Sequence, residues 1–258
     1  MRVNTTKAKL AEGKVVIGGI VSGFSPEIVE LLALLRFDFV FLDCEHGSMN
    51  EDQVEHMVRA AESFGITPIA RIPNHEDSTI LRYLDRGVQG LIIPHINTAE
   101  AATAIAAASR YHPLGHRGSA SGRAHDYGVT MARPDSMAFI NDNVLVIPMC
   151  EEVEAVANLD SILAVPGIDV VHVASGDLGQ SMGHPPMAEV RKVMSEVVKK
   201  TKAAGKWAGI GGNGVTDHTG IADLVRDGAQ FVTIPALGLL RIGAEQFRDG
   251  VAAAIAAK

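Results

Sequence analysis

Residues 38–94 have the sequence DFVFLDCEHGSMNEDQVEHMVRAAESFGITPIARIPNHEDSTILRYLDRGVQGLIIP, in which three short apolar runs are separated by two longer segments. The runs are rich in Val, Ile, Leu and Phe, which is typical of strands that are buried on both faces of a parallel sheet. The longer segments repeat apolar residues with the spacing of an amphipathic helix. Strands that alternate with helices in this way predict an α/β protein with a parallel sheet.

The same alternation continues along the whole chain. Eight strands are predicted, at residues 15–21, 38–42, 67–72, 90–93, 144–149, 169–173, 206–210 and 230–234. Helices are predicted at residues 25–36, 51–64, 78–85, 99–109, 153–164, 187–204, 218–226 and 239–257. Eight β/α units in about 250 residues is the usual size of a TIM barrel. We therefore expect a single (β/α)8 TIM-barrel domain over residues 1–258, with a C-terminal helical segment at 237–258; an open doubly wound sheet is the second possibility.

The composition excludes several classes of protein. Hydrophobic residues make up 47% of the 258 residues and charged residues 21%, so the chain is not disordered as a whole. The formal net charge of −7 offers no basic surface, and we expect no nucleic-acid partner. The chain has no apolar leader and no run of roughly 18 apolar residues, so no membrane association is expected. Cys44 and Cys150 lack CxxC spacing, which fits a reducing compartment, and the cytoplasm is the expected location.

Polar residues follow the predicted strands at their carboxyl ends. These ends meet at one face of a parallel barrel, so residues that are far apart in sequence come together there. The residues at these positions are Asp43, Glu45, His46, Arg71, His95, Glu151, Glu152, Asp177 and Asn213. Clustered carboxylates raise one another's pKa, and a hard divalent ion removes that conflict. Glu151 and Asp177 are therefore candidate metal ligands, although each could also be an ordinary loop or N-cap carboxylate.

Two further candidates, Arg71 and His46, each have two interpretations. Arg71 directly follows an apolar strand, where it could hold an oxyanion or could form a salt bridge with Asp43 or Glu45. His46 could be a general base, since imidazole titrates near neutral pH, or a simple hydrogen-bonded turn residue. The two cysteines are interpreted as small core residues.

Several motifs made of these residues carry a family resemblance. They are DCEHG at 43–47, ARIP at 70–73, GVQGLIIP at 87–94, RYHPLGHRG at 110–118, MCE at 149–151 and GDLGQSMGHP at 176–185. In this order they resemble the class II pyruvate-dependent aldolases of the HpcH/HpaI family, from about residue 15 to residue 231.

The resemblance implies a metal-dependent lyase that reversibly cleaves a 4-hydroxy-2-oxo acid to pyruvate and an aldehyde. In such an enzyme, Glu151 and Asp177 hold Mg²⁺ or Mn²⁺, with Co²⁺ as a third candidate, and the ion stabilises a pyruvate enolate. Arg71 donates hydrogen bonds to the same developing charge. No Schiff-base lysine is needed, and none is found at the predicted strand ends. A homohexamer is also implied, a trimer of dimers that exchange their C-terminal helices.

The resemblance also suggests how protons are transferred. His46 would assist a water molecule as the base, and an acid corresponding to Asp85 would orient it. Asp85 ends a helix that runs back from strand three, so it should lie at the opposite mouth of its own barrel, and a neighbouring subunit must supply it. Asp43 or Glu45 would orient His46 if that assembly does not form.

The sequence departs from the family pattern at two places. Met149 stands where the family usually has Gln, and Ala174, Ser175 and Gly176 replace a common Gly-Pro-Ala before Asp177. The backbone amides of Ser175 and Gly176 could still bind a substrate carboxylate, together with Arg71 and Asp177. The identity of the substrate is what these differences leave open.

Other functions remain as alternatives. The same metal and enolate would serve an oxaloacetate decarboxylase or a citrate-lyase-β-like enzyme that acts on acyl-CoA. A non-catalytic barrel that binds a keto acid is a third alternative. The distal part of an aldehyde could contact His95, Arg117 or Arg123.

Overall fold

The computed structural model describes residues 2–257 and contains one sheet of eight parallel strands. The strands are β1 (Val16–Val21), β2 (Phe39–Asp43), β3 (Thr67–Arg71), β4 (Gly90–Ile93), β5 (Leu145–Pro148), β6 (Val170–Ala174), β7 (Trp207–Gly211) and β8 (Ala229–Pro235). Neighbours in the sheet follow the order β5-β4-β3-β2-β1-β8-β7-β6. The (β/α)8 barrel predicted from the sequence is therefore confirmed.

The barrel closes between β5 and β6, just beyond the end of β5. Met149 forms a parallel bridge with His172. The Cys150 amide donates to the carbonyl of His172 at 2.8 Å, and the Asp169 amide donates to the carbonyl of Val146 at 3.1 Å. This closure brings the acidic residues that follow β5 and β6 to the same part of the rim.

Twelve α-helices occur in the described part of the chain. They are α1 (Thr5–Ala11), α2 (Pro26–Leu34), α3 (Glu51–Phe64), α4 (Asp77–Asp85), α5 (Ala99–Ala108), α6 (Arg133–Asn143), α7 (Val153–Ala157), α8 (Leu159–Leu163), α9 (Ser175–Ser181), α10 (Met187–Ala203), α11 (His218–Asp227) and α12 (Ala236–Ala256). The sequence did not predict α1, α6 or α9. It also predicted one helix over 153–164, which the structure divides at Asn158 into α7 and α8.

Local chemistry accounts for the boundaries of α3. Asn50 caps its amino end in a capping box with Gln53, and each side chain accepts a hydrogen bond from the other residue's amide. Gly65 ends the helix in the left-handed conformation, at φ 74°, where a side chain would be unfavourable. The buried residues Val54, Met57, Val58 and Ala61 share one face of the helix, so α3 packs along the outside of the barrel.

Aromatic rings fill the inside of the barrel. Phe39 of β2 stacks on Phe231 of β8 with 4.2 Å between ring centroids. Gly18 lies on the strand between them, and a Cβ at this position would be 2.0 Å from the Phe39 ring. Glycine is therefore needed here so that the rings can meet. Leu10 of α1 is 1% exposed and packs into the same interior cluster.

The C-terminal helix α12 differs from the other long helices because none of its residues is buried. It starts at Ala236, one residue before the predicted segment 237–258. Within residues 2–257, no helix is both long enough and apolar enough to cross a membrane. The cytoplasmic location stays a prediction.

Candidate active site

The polar residues predicted to meet at the carboxyl ends of the strands do come together. Arg71, the last residue of β3, forms the centre of the group. It donates from Nε and Nη2 to the two carboxylate oxygens of Asp43 on β2, both at 2.9 Å. The exposed fraction is 8% for Arg71 and 3% for Asp43. This is a buried bidentate pair, which fixes the plane of the guanidinium group.

The pair also fixes the charge of both partners. Burial alone would raise the pKa of Asp43, but the hydrogen bonds and charge of Arg71 outweigh burial and lower it. Burial would likewise lower the pKa of Arg71, and Asp43 raises it instead. Both groups are therefore ionised, and Arg71 is held as a cation at the mouth of the barrel.

Glu45 is the second carboxylate near Arg71. Its Oε2 lies 3.1 Å from Arg71 Nη1, so both salt bridges considered for Arg71 are present. Asp43 accepts the backbone amide of His46 at 3.3 Å, and its two carboxylate oxygens accept from Arg71. Asp43 thus orients Arg71, and the expectation that Asp43 or Glu45 orients the His46 ring stays a prediction. The carboxylate near the His46 imidazole is Glu45, at 3.9 Å from Nε2.

Glu151 follows β5 and is 2% exposed. Its Oε1 accepts the backbone amide of His95 at 3.0 Å. Burial raises the pKa of Glu151, and the negative charges of Asp177 and Glu45 raise it further. Across residues 2–257, the Asp177 carboxylate has no hydrogen bond or ion pair, and Oε2 of Glu151 has no hydrogen bond. The two candidate metal ligands are thus mutually repelling carboxylates with oxygens left for another partner.

These donors fit a hard divalent ion. Within the described range, no group of three or more His, Cys, Asp and Glu side chains is arranged to hold a metal. A site with one or two protein carboxylates is nevertheless typical of Mg²⁺, which keeps several water or substrate ligands. Such a cation would bind the unpartnered oxygens, and its charge would lower the raised pKa of Glu151.

Ser175 and Gly176 are the first two residues of α9, which begins directly after β6. Ser175 is buried and its hydroxyl donates to the carbonyl of Gly212 at 2.8 Å. Gly212 has φ 73°, and a Cβ there would lie 2.8 Å from the Ser175 amide nitrogen. The missing side chain leaves a small space over these amides. Met149, by contrast, is 2% exposed and belongs to the apolar interior cluster.

The structure does not bring His46 and Asp85 together within one chain. The His46 side chain is 65% exposed at the mouth. Asp85 ends α4 and accepts from Arg117 Nη2 at 2.8 Å. A cavity of about 80 Å³ beside Arg117 is lined by Gln89 and Arg123 and lies near the amino end of β4. Arg117 and Arg123 are therefore remote from the candidate site of their own chain.

One part of the site was not found from the sequence. His95, which follows β4, has φ 57°, and its Nδ1 lies 2.7 Å from Oε1 of Glu152. The hydrogen bond with Glu152 raises the pKa of His95, and the charges of Glu151 and Glu45 add to the effect, whereas burial opposes it. Both residues stood among the strand-end residues, but nothing in the sequence indicated that they form a pair.

A parallel β/α barrel that holds a buried arginine and two acidic residues at the carboxyl ends of its strands is the architecture of a barrel enzyme. The chain belongs to the HpcH/HpaI aldolase/citrate lyase family, whose model matches residues 17–240. The resemblance predicted from the motifs is confirmed, and the chain is an enzyme of the carbon–carbon lyase class. Class II aldolases of this family use a divalent metal ion.

Three known proteins illustrate the relationship. A 4-hydroxy-2-oxovalerate aldolase of Novosphingobium aromaticivorans is 36% identical over 215 residues, which cover 81% of this chain and 80% of that protein. A 2-keto-3-deoxy-L-rhamnonate aldolase of Shigella sonnei is 34% identical over 80% of this chain and 78% of its own length. The crystal structure of a family member from Burkholderia cenocepacia J2315 superposes with a TM-score of 0.88 and 28% identity, covering 96% of this chain and 99% of the other.

Proposed function

We propose that this chain is a metal-dependent class II aldolase that reversibly cleaves a 4-hydroxy-2-oxo acid to pyruvate and an aldehyde. The observation that carries the proposal is the position of the Glu151 and Asp177 carboxylates at the same rim as an arginine that Asp43 holds charged and fixed. The names of the relatives agree with this reaction better than with that of a citrate-lyase-β-like enzyme or an oxaloacetate decarboxylase.

Cleavage of the C3–C4 bond leaves an electron pair on the pyruvate fragment, and negative charge develops at the C2 oxygen. Arg71 would donate hydrogen bonds to that oxygen, using N–H groups that are not given to Asp43. Because Asp43 fixes the guanidinium before substrate binds, little reorganisation is needed when the charge appears. A divalent ion held by Glu151 and Asp177, which we expect to be Mg²⁺, Mn²⁺ or Co²⁺, would supply Lewis-acid stabilisation of the same charge.

The substrate carboxylate would lie against the amides of Ser175 and Gly176. The amino end of a helix presents unpaired N–H groups, which favour an anion. Gly212 supports this placement, since the space left by its missing side chain adjoins both nitrogens.

A base must remove the proton of the C4 hydroxyl group, and His46 is the candidate. Its exposed imidazole lies at the mouth, where it can take up this proton from the substrate through a water molecule. Asp85 would orient the imidazole from a neighbouring subunit, because in its own chain it pairs with Arg117 away from His46.

An oligomer is supported by apolar surface that the single chain leaves open. Leu237, Leu240, Phe247 and Ile255 of α12 are each at least 62% exposed. On the barrel itself, exposed apolar residues remain on β1, on α2 and at the residue that caps α2; they are Ile17, Leu31, Leu34 and Leu35. Exchange of α12 between two subunits would cover both surfaces. We therefore retain the hexamer of exchanged dimers as part of the proposal.

The proposal is tested with pyruvate and several aldehydes in the presence of Mg²⁺, Mn²⁺ or Co²⁺, and again with EDTA. We expect a 4-hydroxy-2-oxo acid to form only when a divalent ion is present. Product that is insensitive to EDTA would exclude the metal mechanism. If oxaloacetate lost CO₂ faster than any aldol was cleaved, the decarboxylase would be the better assignment.

A further inference from the structure

A second polar group lies at the mouth of the barrel and has no part in the reaction described above. It consists of His95 and Glu152, beside Glu45. The Glu152 carboxylate is fixed from two sides, because Oε1 faces His95 Nδ1 at 2.7 Å and Oε2 accepts from Asn97 Nδ2 at 2.9 Å. The backbone of Asn97 is held in turn, since its main-chain carbonyl accepts from Asn158 Nδ2 at 2.8 Å. The imidazole therefore has a fixed orientation, although its side chain is 61% exposed.

The backbone of His95 has an uncommon conformation. A φ of 57° is in the left-handed region, which residues other than glycine adopt infrequently, although histidine does so more often than most. Such strain persists where the surroundings impose it, and it is frequent at functional sites. Here the His95 amide donates to Glu151 at 3.0 Å, and the imidazole Nε2 lies 3.6 Å from Oε1 of Glu45.

The second ring nitrogen of His95 is left without a hydrogen bond. Within residues 2–257, Nε2 has an ion-pair contact with Oε1 of Glu45 at 3.6 Å, which is too long for a hydrogen bond. Glu45 also contacts Arg71, so this gap borders the group that binds the substrate oxygen. A hydroxyl group both donates and accepts, and one placed here can pair with Nε2 on one side and with the carboxylate on the other.

The charges around the gap favour a neutral ligand. Glu45, Glu151 and Glu152 all lie within 4 Å of the His95 ring nitrogens. An anionic aldehyde would meet these carboxylates, whereas an apolar one would leave the polar edge of the imidazole unpaired.

We propose that His95, oriented by Glu152, is a specificity residue that binds the hydroxyl group of the acceptor, so that the enzyme prefers 2-hydroxyaldehydes to unsubstituted aldehydes. This inference rests on the proposed aldolase function and names the acceptor class for it. This role would explain why a histidine with a left-handed backbone conformation directly follows β4.

The test compares glycolaldehyde with propanal, which has a methyl group in place of the hydroxyl. The ratio of the two kcat/KM values is measured with pyruvate and Mn²⁺ for the parent and for His95→Gly. Glycine relieves the backbone strain and retains the amide that binds Glu151. His116→Ala is the matched control, because His116 is another exposed histidine held by a carboxylate, with Nε2 at 2.8 Å from Asp77.

We expect the parent to favour glycolaldehyde and the ratio to fall at least about tenfold in His95→Gly, as for the loss of a hydrogen bond to a charged group. Glu152→Gln should give a smaller fall, and His116→Ala none. Calorimetric titration with Mn²⁺ and the rate of oxaloacetate decarboxylation, which needs no acceptor, report on the metal site separately. Both should change far less than the ratio.

A ratio that moves less than about threefold in His95→Gly overturns the inference, and so does an equal loss with both aldehydes. If the parent turned over no aldehyde at all, the proposed function itself would fall, and this inference with it. An active parent whose ratio does not respond to His95 would overturn the inference alone.

Discussion

His172 should make the stability of the barrel depend on pH in a way that can be measured. The residue lies on β6 inside the barrel, is 2% exposed, and has Nε2 3.2 Å from the Thr233 hydroxyl. Its Nδ1 is buried without a hydrogen-bond partner in the described structure. Burial, assisted by the charge of Arg71, lowers the pKa of His172 to about 3. The folded protein therefore keeps this imidazole neutral at pH values well above 3.

The sign of the effect follows from proton binding. An unfolded histidine has a pKa of about 6.5, so below that pH the unfolded chain takes up a proton that the folded chain refuses. Stability is unaffected by His172 above about pH 6.5 and decreases as the pH falls from there towards 3. The slope approaches about 1.4 kcal/mol per pH unit, which gives a loss of about 2 kcal/mol between pH 7 and pH 5.

Urea unfolding of the parent and of His172→Gln at the two pH values measures this loss. Glutamine does not titrate and can still contact Thr233, so the variant should lack the pH-dependent part. The other histidines and acids contribute equally to both proteins and cancel in the comparison. Equal losses in parent and variant, within about 0.5 kcal/mol, would refute the buried neutral histidine.

Three further predictions concern the site. Asp43→Asn should lower the unfolding free energy by about 3 kcal/mol in urea titrations, since Arg71 loses its bidentate partner and keeps only Glu45. A loss below about 1 kcal/mol would contradict the buried ion pair of Asp43 and Arg71. Glu151→Gln should abolish Mn²⁺ binding in calorimetric titrations. It should not destabilise the metal-free protein, because burial and the charge of Asp177 raise the pKa of the carboxylate that is removed. Retained tight binding would exclude Glu151 as a ligand. His46→Ala and Asp85→Asn should each be nearly inactive, and oligomers reassembled from a mixture of the two should regain part of the activity. No recovery in mixtures shown by mass spectrometry to be heteromeric would refute the pairing of His46 with Asp85 across subunits.

The strands were predictable because each is a short apolar run buried on both faces, and no other element in this fold has that pattern. The missed helices lack a comparable signal. α9 has the sequence SGDLGQS, with two glycines that disfavour a helix. It forms because β6 ends there and Ser175 bonds to Gly212, a contact between residues that are far apart in sequence. α1 likewise depends on tertiary contacts, since its Asn4 cap also bonds to Asn143.

The candidate site, like the fold, could be predicted from the sequence only in part. The barrel topology alone places Asp43, Arg71, Glu151 and Asp177 at one face, and the ion pair of Arg71 with Asp43 or Glu45 was a stated alternative. The role of Asp43 was not predictable, because whether it faces the guanidinium or the His46 ring depends on the register of β2 against β3, where Asp43 pairs with Arg71. The His95–Glu152 pair depends on the left-handed backbone conformation of His95, and no pattern of residues in the sequence predicts that conformation.

The distribution of charge explains why the site has this composition. The mouth holds five carboxylates, on Asp43, Glu45, Glu151, Glu152 and Asp177, and they outnumber the groups that can pair with them, the Arg71 guanidinium and the His95 imidazole. Asp43 is matched to Arg71, and Glu152 is matched to His95. Glu151 and Asp177 have no such partner, and burial makes their repulsion stronger than it would be in water. A divalent ion bound between the two carboxylates would remove this repulsion. The metal-bound protein should therefore be more stable than the metal-free protein.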